Sequence, residues 1–205
     1  MKVLLEAPIL TQSGYGEHSR VVYKSIKDRG YDIYINPLNW GATSWTRSED
    51  EEPIHELVTK FHRYMSESKA QSKSPEFDMQ IHVGILNEFQ KKGKYSVCVT
   101  AGIETDRVSS AWLIKTHHGV DKIIVPSTHS KRTMTEISYE VENKKTKEKT
   151  ILRCNCPVDV VPYPVKELLP DEIDLDVSTD FNFLSVALLG PRKNLENSIK
   201  WFLEE

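Results

Sequence analysis

Apolar residues fall in short runs separated by glycine turns and amphipathic stretches, an order that predicts alternating strands and helices. Val3-Leu4-Leu5, within Lys2 to Ile9, reads as a buried strand. Val21, Val22 and Ile26 then recur near helical spacing in a helix from about Gly16 to Asp28, and Gly30 ends it as a C-terminal glycine should. Asp32 to Pro37 is a second strand. Strand, helix and strand within about 35 residues make the unit that builds a parallel sheet.

The alternation continues. Ile54, Leu57, Val58, Phe61 and Tyr64 recur every three or four residues in Glu49 to Met65, which predicts an amphipathic helix tailing into a polar linker, Ser66 to Ser74. Phe77 to Ile85 and Tyr95 to Ala101 are further strands. Ser109-Ser110 caps a short helix, Ala111 to His118, closed by Gly119. Asp121 to Val125 is a strand, and Pro126 to Ser130 leads into a helix starting near Lys131. Tyr139 to Val141 and Thr150 to Leu152 flank the lysine-rich stretch Asn143 to Lys149, as a β-hairpin insertion would. Val158 to Val165 gives one more strand, ending in a proline-marked turn. The expected fold class is α/β: a Rossmann-like parallel sheet with helices on both faces.

Lys166 to Thr179 is acidic and proline-punctuated, as a linker between domains would be. It divides a domain of residues 1–165 from residues 180–205. In the latter, Phe181 to Ala187 predicts a strand, Gly190 to Asn194 a basic turn and Leu195 to Glu205 a helix. One strand and one helix cannot bury a core of their own, so this is the expected start of a second Rossmann-like domain.

With 205 residues, 39% hydrophobic and 28% charged, the chain can bury one substantial core. A net charge of -3 argues against a nucleic-acid binder, which normally shows a lysine and arginine excess. The N-terminus meets Glu6 and Pro8 too soon for a signal peptide, and no apolar run approaches the roughly 20 residues that span a bilayer. The cytoplasm is the expected compartment. Three cysteines, Cys98, Cys154 and Cys156, are an odd count that makes no disulfide framework. Cys154-Asn155-Cys156 lacks the second ligand pair of a structural zinc site, and Cys98 is most simply a small buried hydrophobe. The adjacent His117 and His118 point about 100° apart on a helix and do not share an ion.

Candidate chemistry gathers at strand-to-helix turns. Ser13-Gly14-Tyr15-Gly16 joins the first strand to the first helix, where backbone amides and the positive helix end favour an anion. Ser13 can cap the helix, and two glycines permit close approach to a ligand. A dinucleotide fingerprint would add a third glycine, where Ser19 stands, and an acid at the end of the second strand, where Asn36 stands. A nicotinamide or flavin dinucleotide is therefore disfavoured; a phosphate on a nucleotide or sugar remains open. His82 lies near the C-terminal end of its strand, where ligands bind in open parallel sheets, although a lone histidine there also reads as a core group. Glu104-Thr105-Asp106-Arg107 is a polar cluster at another strand end, and Ser127 sits in a hydroxyl-rich turn of the same anion-binding type. Trp40 and Trp45 either line a cleft or pack.

Taken in order, these stretches resemble the N-terminal half of a GT-B glycosyltransferase of the large retaining group. Ser13-Gly14-Tyr15-Gly16 looks like the glycine loop, and Glu104-Thr105-Asp106 like the group's Glu-Thr segment. Asp121 to Ser127 with Ser130 resembles its Asp-x-Ile-x-Val-Pro-Ser strand and turn. Val161-Pro162-Tyr163-Pro164-Val165 resembles the segment before its interdomain linker, and Phe183 to Asn194 the start of its nucleotide-binding domain. The resemblance implies a nucleotide sugar as donor substrate, a glycan or other acceptor, and transfer in the cleft between domains without cofactor or metal. It implies that Lys193 and Arg192 hold the diphosphate, together with the Gly14 and Gly16 amides, Tyr15 and Ser127. His82 and Glu104 are then the catalytic candidates, and Thr105, Asp106 and Arg107 stand on the acceptor side. Peripheral membrane contact and self-association through exposed apolar surface accompany the picture; nucleic acid does not.

The chain departs from the group in two places. Ala187-Leu188 stands where Gly-Arg is usual, and Pro162-Tyr163-Pro164 lacks the usual glycine. The donor domain's Glu-x7-Glu segment would lie beyond Glu205, so the chain alone is expected to be inactive. The competing expectation is a non-catalytic α/β binding module for a phosphorylated small molecule or a protein partner.

Overall fold

A computed structural model describes residues 1–46, 52–142, 147–165, 169, 177–187 and 190–204. The chain divides into two compact units, Met1–Val165 and Lys166–Glu205. The first contains eight described strands: β1 (Lys2–Ala7), β2 (Asp32–Pro37), β3 (Phe77–Val83), β4 (Gly93–Val99), β5 (Lys122–Val125), β6 (Tyr139–Glu142), β7 (Lys149–Leu152) and β8 (Val158–Val160). Its helices are α1 (Gly14–Ile26), α2 (Glu52–Ala70), α3 (Ser110–His117) and α4 (Thr128–Thr135).

Six strands form one parallel sheet in the order β2-β1-β3-β4-β5-β8, while β6 and β7 pair antiparallel as a separate hairpin. The fold is thus α/β and Rossmann-like, with the hairpin inserted between α4 and β8. Register-paired residues of a parallel sheet share a face. Val3, Leu5, Ile81, Val83, Val97 and Val99 accordingly face α1, where Tyr23 and Ile26 complete the cluster. On the opposite face Leu4, Tyr34 and Phe77 meet Phe61 of α2, and Cys98 and Ile123 meet Leu113 of α3.

That second face is polar between the two helices. Glu6, Gln80, His82 and Ser96 lie there and are all buried. Glu6 receives Asn36 Nδ2 at 2.8 Å, the Gln80 side-chain amide, and the Lys92 ammonium. The carbonyl oxygen of the Gln80 side chain receives the amides of Lys92 at 2.7 Å and Gly93 at 3.2 Å. A buried carboxylate persists only when several donors replace its water, and here three do. At the N-terminal edge, Asp32 stands in register beside Lys2 and ion-pairs with Lys60 of α2 at 2.5 Å, while the Lys2 amide reaches Asp78 at 2.9 Å. Asp78 also meets Lys94 at 3.3 Å, so charges alternate across four strands.

Several boundaries differ from the sequence expectation; the strand expected over Val158 to Val165, for one, ends at Val160. Helix α2 runs on to Ala70, consuming part of the presumed linker, because its last residues, buried Ser68 among them, are polar or small and carry no apolar period to count. β3 and β4 are joined by Gly84 to Lys92, whose only helical element is a single 3₁₀ turn, Leu86–Glu88, with Leu86 and Phe89 buried. Helix α4 begins at Thr128, capped by Ser127.

The second unit, described by itself, holds a 3₁₀ turn, Pro191–Lys193, and α5 (Leu195–Glu204). Phe181 to Ala187 carries no ladder: a strand needs a neighbour's backbone groups, and among the described residues none pairs with it. Phe183 instead stacks edge-on against Phe181 and Phe202 at 5.0 and 4.7 Å. Leu188, half of the Ala187-Leu188 departure, the hairpin tip at 143–146 and most of the linker lie outside the described residues.

Candidate functional site

The chain reverses its direction of travel across the sheet between β1 and β3, the switch point beside which ligands of open parallel sheets bind. The loops that leave the strand C-termini there are tied together by tyrosines. Tyr15, on the first turn of α1, accepts the Ala101 amide at 3.1 Å and meets the Thr100 hydroxyl at 3.3 Å. Tyr163, three residues beyond β8, accepts the next amide, that of Gly102, at 3.2 Å. Two consecutive amides beyond β4 are therefore held by phenols from opposite ends of the domain.

Around them stand further rings. Trp40 stacks tilted on Tyr15 with centroids 4.1 Å apart, and His18 meets Tyr163 edge-on at 4.8 Å. Burial holds the His18 imidazole below its ordinary pKa and pushes the Tyr163 phenol up, the Gly102 hydrogen bond opposing the latter. His18 is thus neutral near pH 7. The result is a rim of Trp40, Tyr15, His18 and Tyr163 over exposed Gly102, offering flat apolar faces beside polar tips. Such a surface suits a ligand that is itself part apolar face and part hydroxyl.

The glycine loop separates into two roles. Gly16 donates its amide to Ser13 Oγ at 3.0 Å, so that amide caps the helix and does not point outward. A Cβ on Gly16 would lie 2.0 Å from the Thr11 carbonyl oxygen, which makes this glycine a packing requirement. Around Gly14 a Cβ meets nothing within 4 Å. Ser127 likewise spends its hydroxyl on the Ser130 amide at 3.1 Å and the Ser130 hydroxyl at 3.0 Å. Both serines cap helices, the reading that sequence alone offered for Ser13.

His82 lies at 2% exposure beneath the Gly84 to Lys92 connection, its ring edge-on to Phe89 at 5.8 Å. Neither ring nitrogen has a hydrogen-bond partner. Burial lowers its pKa; neighbouring Glu6 and the Ile85 backbone favour the protonated form without reversing that. No part of this imidazole lines the rim.

Glu104, Thr105, Asp106 and Arg107 are exposed. The segment is anchored to α4: His129 Nε2 bonds the Thr105 carbonyl at 3.1 Å, and the Ile103 amide reaches Ser130 Oγ at 3.2 Å. Thr105 Oγ1 donates to the Arg107 carbonyl at 2.8 Å, and Arg107 pairs with Asp106 at 3.4 Å. Arg192 and Lys193 lie exposed on the 3₁₀ turn of the second unit.

The first unit therefore brings together Gly14, Tyr15 and the residues beyond β4, and sets His82 apart in the core. Sequence reading passed over His18 and Tyr163, whose spacing of 145 residues carries no local signal; Tyr163 stood inside the expected strand Val158 to Val165, so nothing nearby marked it. Among the described residues no helix is long and apolar enough to cross a membrane, and no three His, Cys, Asp or Glu side chains cluster as a metal ion requires. No protein-family model and no curated protein sequence matches the chain.

Proposed function

We propose that the chain belongs to a cytoplasmic GT-B-type glycosyltransferase of the retaining group and that its first unit supplies the acceptor side, binding a glycan at the aromatic rim. The observation that carries this reading is the pair of tyrosines holding Ala101 and Gly102 just beyond β4, the strand next to the switch-point strand β3, with Trp40 and His18 alongside. Sugar rings present C–H faces to aromatic surfaces and hydroxyls to their polar tips, and the rim supplies both. The motif order from Ser13 to Asn194 supports a nucleotide-sugar donor, with Arg192 and Lys193 stabilising the diphosphate that leaves. Glu104 to Arg107 is exposed and anchored at its base, as a segment contacting an acceptor would be.

Saturation-transfer NMR on the full chain with neutral oligosaccharides and nucleoside-diphosphate sugars as separate probes, together with ³¹P line broadening of inorganic phosphate, tests the reading. Transfer to the oligosaccharides that the variant Trp40→Ala diminishes is the expected result. Binding of phosphate alone, with no saccharide transfer, overturns it in favour of a module for phosphorylated small molecules, because the Gly14 and Tyr15 amides at the N-terminus of α1 are what such a ligand would find.

A further inference from the structure

Away from the rim, the chain between β7 and β8 carries Cys154 and Cys156 on a stretch without helix or strand structure. The chain bends at Cys156, and its surroundings hold the segment in place. The Asn155 amide between the two cysteines donates to Thr116 Oγ1 at 3.0 Å, and His117 Nε2 bonds the Arg153 carbonyl at 2.9 Å, so the segment is pinned to the end of α3 at two successive points. Cys154 Sγ donates to the Cys156 carbonyl oxygen at 3.5 Å, which holds the first thiol against the backbone of the second cysteine. Both are only partly buried, whereas Cys98 is wholly enclosed.

We propose that Cys154 and Cys156 form a redox-active dithiol, which small aliphatic disulfides such as oxidised glutathione convert to an intramolecular Cys154–Cys156 disulfide. The electrostatics assign the roles. The Cys156 thiol favours the Cys154 thiolate, and this outweighs partial burial; with help from the Cys156 backbone, His117 and Thr116 it brings the Cys154 thiol down to about 6. The same contact, with burial, pushes the Cys156 thiol up. The pair thus gives up its first proton more readily than a lone thiol, and the roles assigned are Cys154 as nucleophile and Cys156 as resolving thiol.

The Cys154 thiolate attacks one sulfur of the oxidant, forming a mixed disulfide and expelling one glutathione thiolate, which takes the proton from Cys156. The Cys156 thiolate then attacks Cys154 Sγ and expels the second glutathione thiolate, which is protonated from water. Two protein thiols are oxidised and one small disulfide is reduced to two thiols. In a reducing cytoplasm the pair rests as dithiol, so oxidation reports a change of redox state.

The test treats the reduced full chain with oxidised glutathione at pH 7, blocks residual thiols by alkylation, and maps the products by mass spectrometry. The expected result is loss of two hydrogens on the peptide bearing Cys154 and Cys156, with Cys98 left as a thiol. Cys156→Ser should stop at one glutathione on Cys154, and Cys154→Ser should react about tenfold more slowly. The proposal is overturned if both wild-type thiols remain alkylatable, if glutathione stays attached without an internal bond, or if Cys154→Ser reacts as fast as wild type. The wild-type map needs no variant to fold.

Discussion

The hydroxyl of Tyr15 accepts the amide of Ala101, 86 residues further along the chain, and so ties the first turn of α1 to the end of β4. Tyr15→Phe keeps the ring against Trp40 and removes this acceptor. The expected cost is about 1 kcal/mol, since the site is partly open and water can replace the phenol. Urea denaturation should register it, and hydrogen exchange at Ala101 should quicken while the rest of the sheet stays protected.

The two glycines of the loop should respond in opposite ways. Gly16→Ala drives a methyl into the Thr11 carbonyl and should destabilise by about 2–4 kcal/mol, because the obstacle is backbone. Gly14→Ala meets open space and should change stability by no more than about 0.5 kcal/mol. Equal losses in thermal melts of the two variants would contradict this assignment.

Burial lowers the pKa of His82, and of His18 to the same sign, below the ordinary 6.5. The unfolded chain therefore takes up protons before the native one does. Stability is full above pH 6.5 and falls as the pH drops below it, by at most about 1.4 kcal/mol per pH unit for each group. His82→Leu removes two buried nitrogens that lack partners, so it should be neutral or stabilising at pH 7 and flatten this slope. Denaturant midpoints at several pH values for the two proteins provide the measurement; an unchanged slope would count against the buried imidazole as its source.

Glu6 gathers donors from Asn36, Gln80 and Lys92. Glu6→Ala takes an acceptor from the half-buried Asn36 amide and from the buried Gln80 amide, which keeps the Gln90 carbonyl at 2.8 Å, and leaves Lys92 to turn toward water. The expected loss is about 2–4 kcal/mol, visible in equilibrium unfolding. Lys92→Met should cost less, because Glu6 then keeps both amide donors.

How much of this was legible in the sequence depended on how local the determinant was. The parallel sheet was readable because Val3-Leu4-Leu5 and Ile33 to Ile35 are continuous apolar runs bounded by turns, and Ser13 and Ser109 announce their helices by position. The far end of α2 was hidden by exposed polar residues. The Gly84 to Lys92 connection has too little periodicity to disclose that Leu86 and Phe89 cover His82. Phe181 to Ala187 has a strand's composition, yet among the described residues nothing pairs with it, which composition does not reveal. For the rim, Tyr15 lay inside a visible motif, but its pairing with Ala101, and that of Tyr163 with Gly102, depend on contacts that only the folded chain creates.

The alternation of Asp32, Lys2, Asp78 and Lys94 across the N-terminal edge has a further consequence. Shifting one strand by two positions leaves every side chain on its original side of the sheet, so an apolar pattern alone tolerates that error. Moved by two, Lys2 would face Gln80, and Asp78 would lose the amide it holds. Ionic spacing at one margin and the Glu6 cluster near the other thus act as a vernier, selecting a single alignment from a set that hydrophobicity leaves degenerate.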